Sequence, residues 1–200
     1  YAQDYITRFG FDANRHPAYL PMALGSGSVT PMQMAVGYSV FANGGYRIAP
    51  YLIKSIEDEK GNILEQFKPV SISDGAKRVI DPRNAFLMTS MMQDVINYGT
   101  ATKAKQLGRT DLAGKTGTAQ IAEDFGYHPT DVIGSFIGWL PADDPEIIVL
   151  VKLDRPQSAP WGSMTAAPVF AKLARELVVL LDIPPDAIRL EANSISGGGG

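Results

Sequence analysis

The 200-residue chain has no cysteine. This excludes disulfides, thiolate metal sites and a cysteine nucleophile, and it is compatible with an oxidising compartment. Histidine is nearly as scarce. His16 and His128 stand far apart without metal-ligand spacing, so neither zinc nor another cofactor is expected. There is no long basic run and the formal net charge is −3, which argues against nucleic acid as a partner. No stretch approaches the roughly 18 apolar residues of a membrane span. The strongest apolar run, Ile147–Leu153, has the length of a strand. The chain begins Tyr1-Ala2-Gln3, with neither an initiator methionine nor a signal peptide, and reads as an excised piece.

What is present suffices for one domain or a large part of one: 45% of residues are hydrophobic, with 20 Gly and 14 Pro to punctuate them. Residues 1–9 read as the end of a helix stopped at Gly10. Thr30, Pro31 and Gln33 form the start signature of a helix over 31–42, with Asn43-Gly44-Gly45 as its stop. Ile48–Glu57 and Asn62–Phe67 read as a hairpin across Asp58-Glu59-Lys60-Gly61. Asp81 and Pro82 open a second helix reaching about Tyr98, with Met88, Met91 and Met92 as core filler. Three strands are expected over 112–120, 132–140 and 146–154, antiparallel because the connections are short. Asp143 and Asp144 belong to the turn between the last two. A closing helix spans about 165–181, ended by Pro184-Pro185. The expected fold class is α+β, an antiparallel sheet flanked by helices. Residues 1–190 read as the domain portion and 191–200 as a flexible, Gly-rich tail.

The chemistry concentrates in Leu112-Ala113-Gly114-Lys115-Thr116-Gly117-Thr118-Ala119-Gln120. Lys115 offers a positive charge with three donors, and Thr116 and Thr118 offer hydroxyls. On a strand Thr116 and Thr118 share one face and Lys115 shares the other with Gly117. Local twist or the flexible lysine stem must therefore bring the ammonium to the hydroxyls. Gly117 leaves room for another backbone or a substrate, and a free N–H on such an edge can serve an oxyanion. These parts suit a peptide-like substrate whose carboxylate lies near Lys115 and Thr118. A chance tetrapeptide is the bland alternative. A Walker A loop is rejected, because its first glycine would fall at Arg109 and the context is strand rather than a loop opening a helix.

Leu112–Gln120 resembles the third motif of the penicillin-binding protein transpeptidases, relatives of the serine β-lactamases. The resemblance extends over Gly25–Ala35, Phe41–Gly45 and Gly134–Asp143, in the family's order, and covers about residues 1–188. It implies a partial transpeptidase fold and serine acyl transfer on the D-Ala-D-Ala end of a peptidoglycan stem peptide, with β-lactams acylating the same serine. It implies that Lys115 joins the proton and charge network around that serine and that Thr116 and Thr118 orient the substrate carboxylate. The Thr118 N–H would form half of the oxyanion hole, with Gln120 further along the substrate-facing strand and Gly117 giving room. It also implies an extracytoplasmic, membrane-anchored parent.

The chain departs from the family pattern. No serine has a lysine three positions on, and Ser-x-Asn is also absent. Both are expected upstream, so the missing N-terminal part of the domain is an expected partner and the chain alone is expected not to be acylated. Thr100-Ala101-Thr102-Lys103 is the nearest imitation of the nucleophile motif. Residues up to about 118 look like the class A, bifunctional type and those from Ala119 like class B, as a crossover or a divergent sequence would. A β-lactamase-like or carboxypeptidase hydrolase, and a non-catalytic fragment pairing with a missing half, are the alternatives. Trp161 packs over the closing helix or lines the cleft. His128 reads as a solvated loop residue.

Overall fold

The structure, a computed structural model, describes residues 1–70, 75–123 and 126–196, without the side chains of Leu24 and residues 192–196. The chain forms two compact units, Tyr1–Ala85 and Phe86–Gly200.

In the first unit, α1 (Ala2–Ile6) runs into a 3-10 turn and stops at Gly10. Helix α2 (Pro31–Ala42) carries the expected capping box: the Gln33 N–H donates to Thr30 Oγ1 at 3.2 Å and the Thr30 N–H to Gln33 Oε1 at 2.9 Å. Phe9, Val40, Val79, Ile80 and Ala85 form the core of this unit. The hairpin is shorter than expected, β1 (Ser55–Glu57) against β2 (Ile63–Gln66). Residues 48–54 are not strand. Their alternation has no core to face, since Leu52 is 88% and Ile53 63% exposed. Asp58 closes the turn by accepting the Lys60 and Asn62 N–H groups.

Helix α3 (Pro82–Asn97) starts at Asp81, whose carboxylate accepts the Arg83 N–H at 2.9 Å. Met92 is buried, but Met91 is 54% exposed and is not core filler. The second unit is built on a three-stranded antiparallel sheet, β3 (Ala113–Glu123), β4 (Gly126–Leu140) and β5 (Ile147–Asp154), in the order β3-β4-β5. Helix α4 (Ala166–Leu180) lays Ala167, Phe170, Ala171 and Ala174 against Phe136, Leu140 and Val151 of the sheet. This apolar interface is the main core of the unit.

Three local features differ from expectation. The β3–β4 hairpin is longer, so His128 lies in a strand, not in a loop. Pro129 and the polar composition conceal that pairing, which passes an irregularity at Gln120/Ala122. A helix, α5 (Asp186–Ser196), follows Pro184-Pro185 and takes in residues read as the start of a tail; Gly197–Gly200 lie outside the described residues. Finally, the turn acids have a structural partner. Arg189 of α5 bonds Asp143 at 2.6 Å and also Asp186.

That ion pair belongs to a lock around the start of β3. Arg109 binds the Asp111 carboxylate and the carbonyls of Ile183 and Pro184, each at 2.9 Å. Burial opposes ionisation of Asp111, but the Arg109 guanidinium outweighs it and holds the carboxyl below its ordinary value. Burial pushes Asp186 the other way, and the facing Asp111 adds to this against the pull of Arg189. The signs therefore oppose. Asp111 contributes stability above the unfolded carboxylate range and loses it as pH falls through its lowered folded value. Asp186 favours folding below that range and loses its contribution as pH rises through its raised value. Asp186→Asn, which cannot ionise, is expected to gain thermal stability relative to the native chain as pH rises from about 4 to about 7. Melting curves across that range check it; a difference independent of pH would contradict it.

Candidate active-site wall

The Lys-Thr-Gly segment lies on β3, as the sequence indicates. Its register pairs Lys115 with Ile137, Thr116 with Phe136, Gly117 with Ser135 and Thr118 with Gly134. Directly paired residues share a sheet face. Phe136 packs on Phe170 of α4, with ring centroids 4.6 Å apart. Thr116 and Thr118 therefore lie on the face that α4 covers, and Lys115 and Gly117 on the opposite one with Ser135.

The direction of the backbone groups follows from the ladder. On β4, the carbonyls of Val132 and Leu140 accept N–H groups of Arg155 and Glu146 from the β5 side. The β4–β5 register is unbroken between them. Even-numbered β4 residues thus address β5 and odd-numbered ones address β3. Ser135 and Ile137 bond to Gly117 and Lys115, so the N–H and C=O of Thr116 and Thr118 point away from β4. That edge of β3 pairs with no strand among the described residues.

Side chains converge on the same edge. Lys115 Nζ donates to the Thr116 carbonyl at 3.2 Å, so the lysine stem brings the ammonium round to the edge without reaching the hydroxyls. Thr118 Oγ1 accepts the N–H of Gly162 at 3.1 Å, which leaves the hydroxyl proton free to donate outward. Thr116 Oγ1 lies 2.9 Å from Thr100 Oγ1. Lys115, Thr118 and Gln120 are exposed and Thr116 and Gly117 half-buried, so a ligand can reach them all.

Gly117 does have close neighbours. A Cβ there would meet Ser135 Oγ at 2.5 Å, and a Cβ placed on Gly162 would collide with the Gly117 carbonyl. Gly162 and Thr100 are the site residues that the motif alone does not reveal. Thr100 turns out to support Thr116 rather than to imitate a nucleophile. Trp161, beside Gly162, is 58% exposed, which removes the expectation that it packs away over the closing helix. Its carbonyl accepts from the Thr165 N–H and hydroxyl. His128 Nδ1 accepts the N–H groups of Thr130 and Asp131, at 3.3 and 2.8 Å, which is a structural use of that nitrogen. Among the described residues no three His, Cys, Asp or Glu side chains gather to hold a metal. No helix among them is long and apolar enough to cross a membrane.

The family described as "Penicillin binding protein transpeptidase domain" matches residues 3–175. Penicillin-binding protein 1A of Neisseria lactamica is 39% identical over 204 residues, covering 100% of this chain and 24% of that protein. This one relative aligns on both sides of the Gly114–Thr118 block. Among solved structures, penicillin-binding protein 1A from Haemophilus influenzae superposes with a TM-score of 0.72 at 25% identity, covering 92% of this chain and 31% of that one. Penicillin-binding protein 3 from Mycobacterium tuberculosis, complexed with ampicillin, gives 0.73 at 27% identity, covering 91% and 46%. The chain thus spans about a quarter of the length of the first of these relatives. The sheet, the edge strand with its Lys-Thr-Gly segment and the match across most of the sequence agree: this chain belongs to the penicillin-binding protein transpeptidase family.

Proposed function

We propose that this chain is the C-terminal portion of a peptidoglycan D,D-transpeptidase domain and supplies the wall that holds the substrate carboxylate and one oxyanion donor. The observation that carries this reading is the open edge of β3, where the Thr118 N–H points outward beside the Lys115 ammonium and a hydroxyl already oriented by Gly162. A stem peptide ending in D-Ala-D-Ala, or a β-lactam, lies along this edge. Its carboxylate meets the Thr118 and Thr116 hydroxyls and Lys115, with Gln120 further along. The scissile carbonyl oxygen, negative in the tetrahedral intermediate, takes the Thr118 N–H. Lys115 joins the charge network of a serine contributed from a Ser-x-x-Lys segment upstream. The reaction takes place outside the cytoplasm, in a membrane-anchored parent. The domain portion extends to about residue 190, where the Arg189 ion pairs tie the first turn of α5 to the β4–β5 turn.

The purified 200-residue chain, incubated with a fluorescent penicillin, is expected to show no covalent adduct by intact mass. A polypeptide that also carries the upstream Ser-x-x-Lys and Ser-x-Asn segments is expected to gain one penicilloyl group. An adduct on the isolated chain would place the nucleophile within these residues and overturn the division of labour. Fast turnover of penicillin by the longer protein would instead favour a hydrolase.

A further inference from the structure

Far along the sequence from β3, the first unit contains a cavity of about 390 Å³ lined by Thr7, Arg8, Arg47, Lys77, Arg78 and Val79. Four of these six residues are cationic, in a chain whose net charge is −3. Like charges brought together repel, so the backbone must hold them there. The Arg47 N–H donates to the Lys77 carbonyl at 3.1 Å, the Val79 N–H donates to the Gly45 carbonyl at 2.8 Å, and Tyr46 and Arg78 form an antiparallel bridge.

Three of the guanidinium groups are held in place by contacts within the first unit. The Arg47 guanidinium lies against Gly10, where a Cβ would come within 2.9 Å of Nη2; a φ of +95° also suits glycine there. Arg8 lies over the Tyr5 ring, 4.8 Å from its centroid. Arg78 lies over Tyr46 at 4.3 Å and donates to the Gly44 carbonyl and the Tyr46 hydroxyl. Among the described residues, no carboxylate forms an ion pair with Arg8, Arg47, Lys77 or Arg78. Asp81, bound to Arg83, feels Arg78 at longer range. Among the described residues, therefore, no ion pair neutralises the positive charge of the cavity.

We propose that this cavity binds a phosphate-bearing anion with two or more negative charges, gripped by Arg8, Arg47 and Lys77. Guanidinium forks match the paired oxygens of phosphate, and the lysine adds a point charge. The cavity volume exceeds the needs of one phosphate and suits a diphosphate or the phosphate of a larger molecule. Such a group is found both in free diphosphates and in anionic lipid headgroups. The inference does not depend on the role given to β3.

The test titrates pyrophosphate into the full 200-residue chain by calorimetry at low and moderate salt. In parallel, it measures co-sedimentation with phosphatidylcholine vesicles doped with phosphatidic acid. The Arg47→Gln/Lys77→Gln protein is expected to bind about tenfold more weakly. The control Lys54→Gln/Lys60→Gln, of equal net charge, is expected to bind like the native chain. All four side chains are exposed, so melting curves should coincide. Pyrophosphate binding with this dependence identifies a soluble ligand. Vesicle binding with this dependence, without pyrophosphate binding, identifies a lipid headgroup. Binding of neither probe, or equal weakening by both double variants, overturns the proposal.

Discussion

Gly162→Val is expected to lower the melting temperature of the second unit and release the Thr118 hydroxyl from its clamp. A Cβ at position 162 would collide with the Gly117 carbonyl, and would lie 2.5 Å from the Ser135 carbonyl oxygen and 2.8 Å from the Ser135 nitrogen. All three are backbone atoms in the β3–β4 ladder, so no rotamer change relieves the contact. Either the ladder opens at Gly117–Ser135 or the 161–165 turn lifts from the sheet. Overpacking of this kind costs about 1–3 kcal/mol, and more where backbone must move. The lifted turn would also pull the Gly162 N–H away from Thr118 Oγ1. Gly117→Ala is the contrasting control, because its Cβ meets the rotatable hydroxyl of Ser135 and is expected to cost less. Thermal unfolding compares the two, and amide exchange at residue 162 reads the clamp. A Gly162→Val protein with native melting behaviour and a protected 162 amide would remove Gly162 from the site.

The contrast between Gly117 and Gly162 marks how much could be read from the sequence. Gly117 sits inside a recognisable motif, and strand alternation alone separates Lys115 from the two threonines. The register of β3 with β4 bears out that separation. The α2 capping box was equally legible, because all its bonds join residues three apart. Gly162 and Thr100 reach Thr118 and Thr116 over 44 and 16 residues, a distance no local pattern encodes. Alternation misled where it had nothing to bury against, as in residues 48–54. It was silent at His128, where a proline and polar neighbours occupy a strand held mainly by its ladder. Helix α5 escaped notice because two prolines precede it and its anchor, Arg189, meets Asp143 across 46 residues. Hydrogen bonds local in sequence are legible; charge pairs and close backbone approaches between distant segments are not.

The orientation of Thr118 leads to the second large effect. In the longer polypeptide that contributes the serine, Thr118→Val is expected to slow acylation by benzylpenicillin about tenfold to a hundredfold, the worth of one hydrogen bond to a charged group. Lys115→Met removes a full charge at the same edge and is expected to cost about 10²–10³-fold, on the scale of losing an oxyanion-site donor. Lys115 is exposed, so Lys115→Met should leave the melting temperature unchanged, whereas Thr118→Val removes the acceptor of the buried Gly162 N–H and is expected to lower it. The backbone N–H survives in both variants, so residual acylation is expected. The decisive comparison uses penicillin methyl ester, which lacks the carboxylate charge. Because Gly162 occupies one lone pair of Thr118 Oγ1, the hydroxyl proton is turned outward, where it can meet an anion. Esterification should therefore slow the native protein strongly but add little to the loss already present in Thr118→Val, a non-additive cycle. Fully additive losses would mean that Thr118 does not touch the carboxylate and that its hydroxyl serves the Gly162 turn alone.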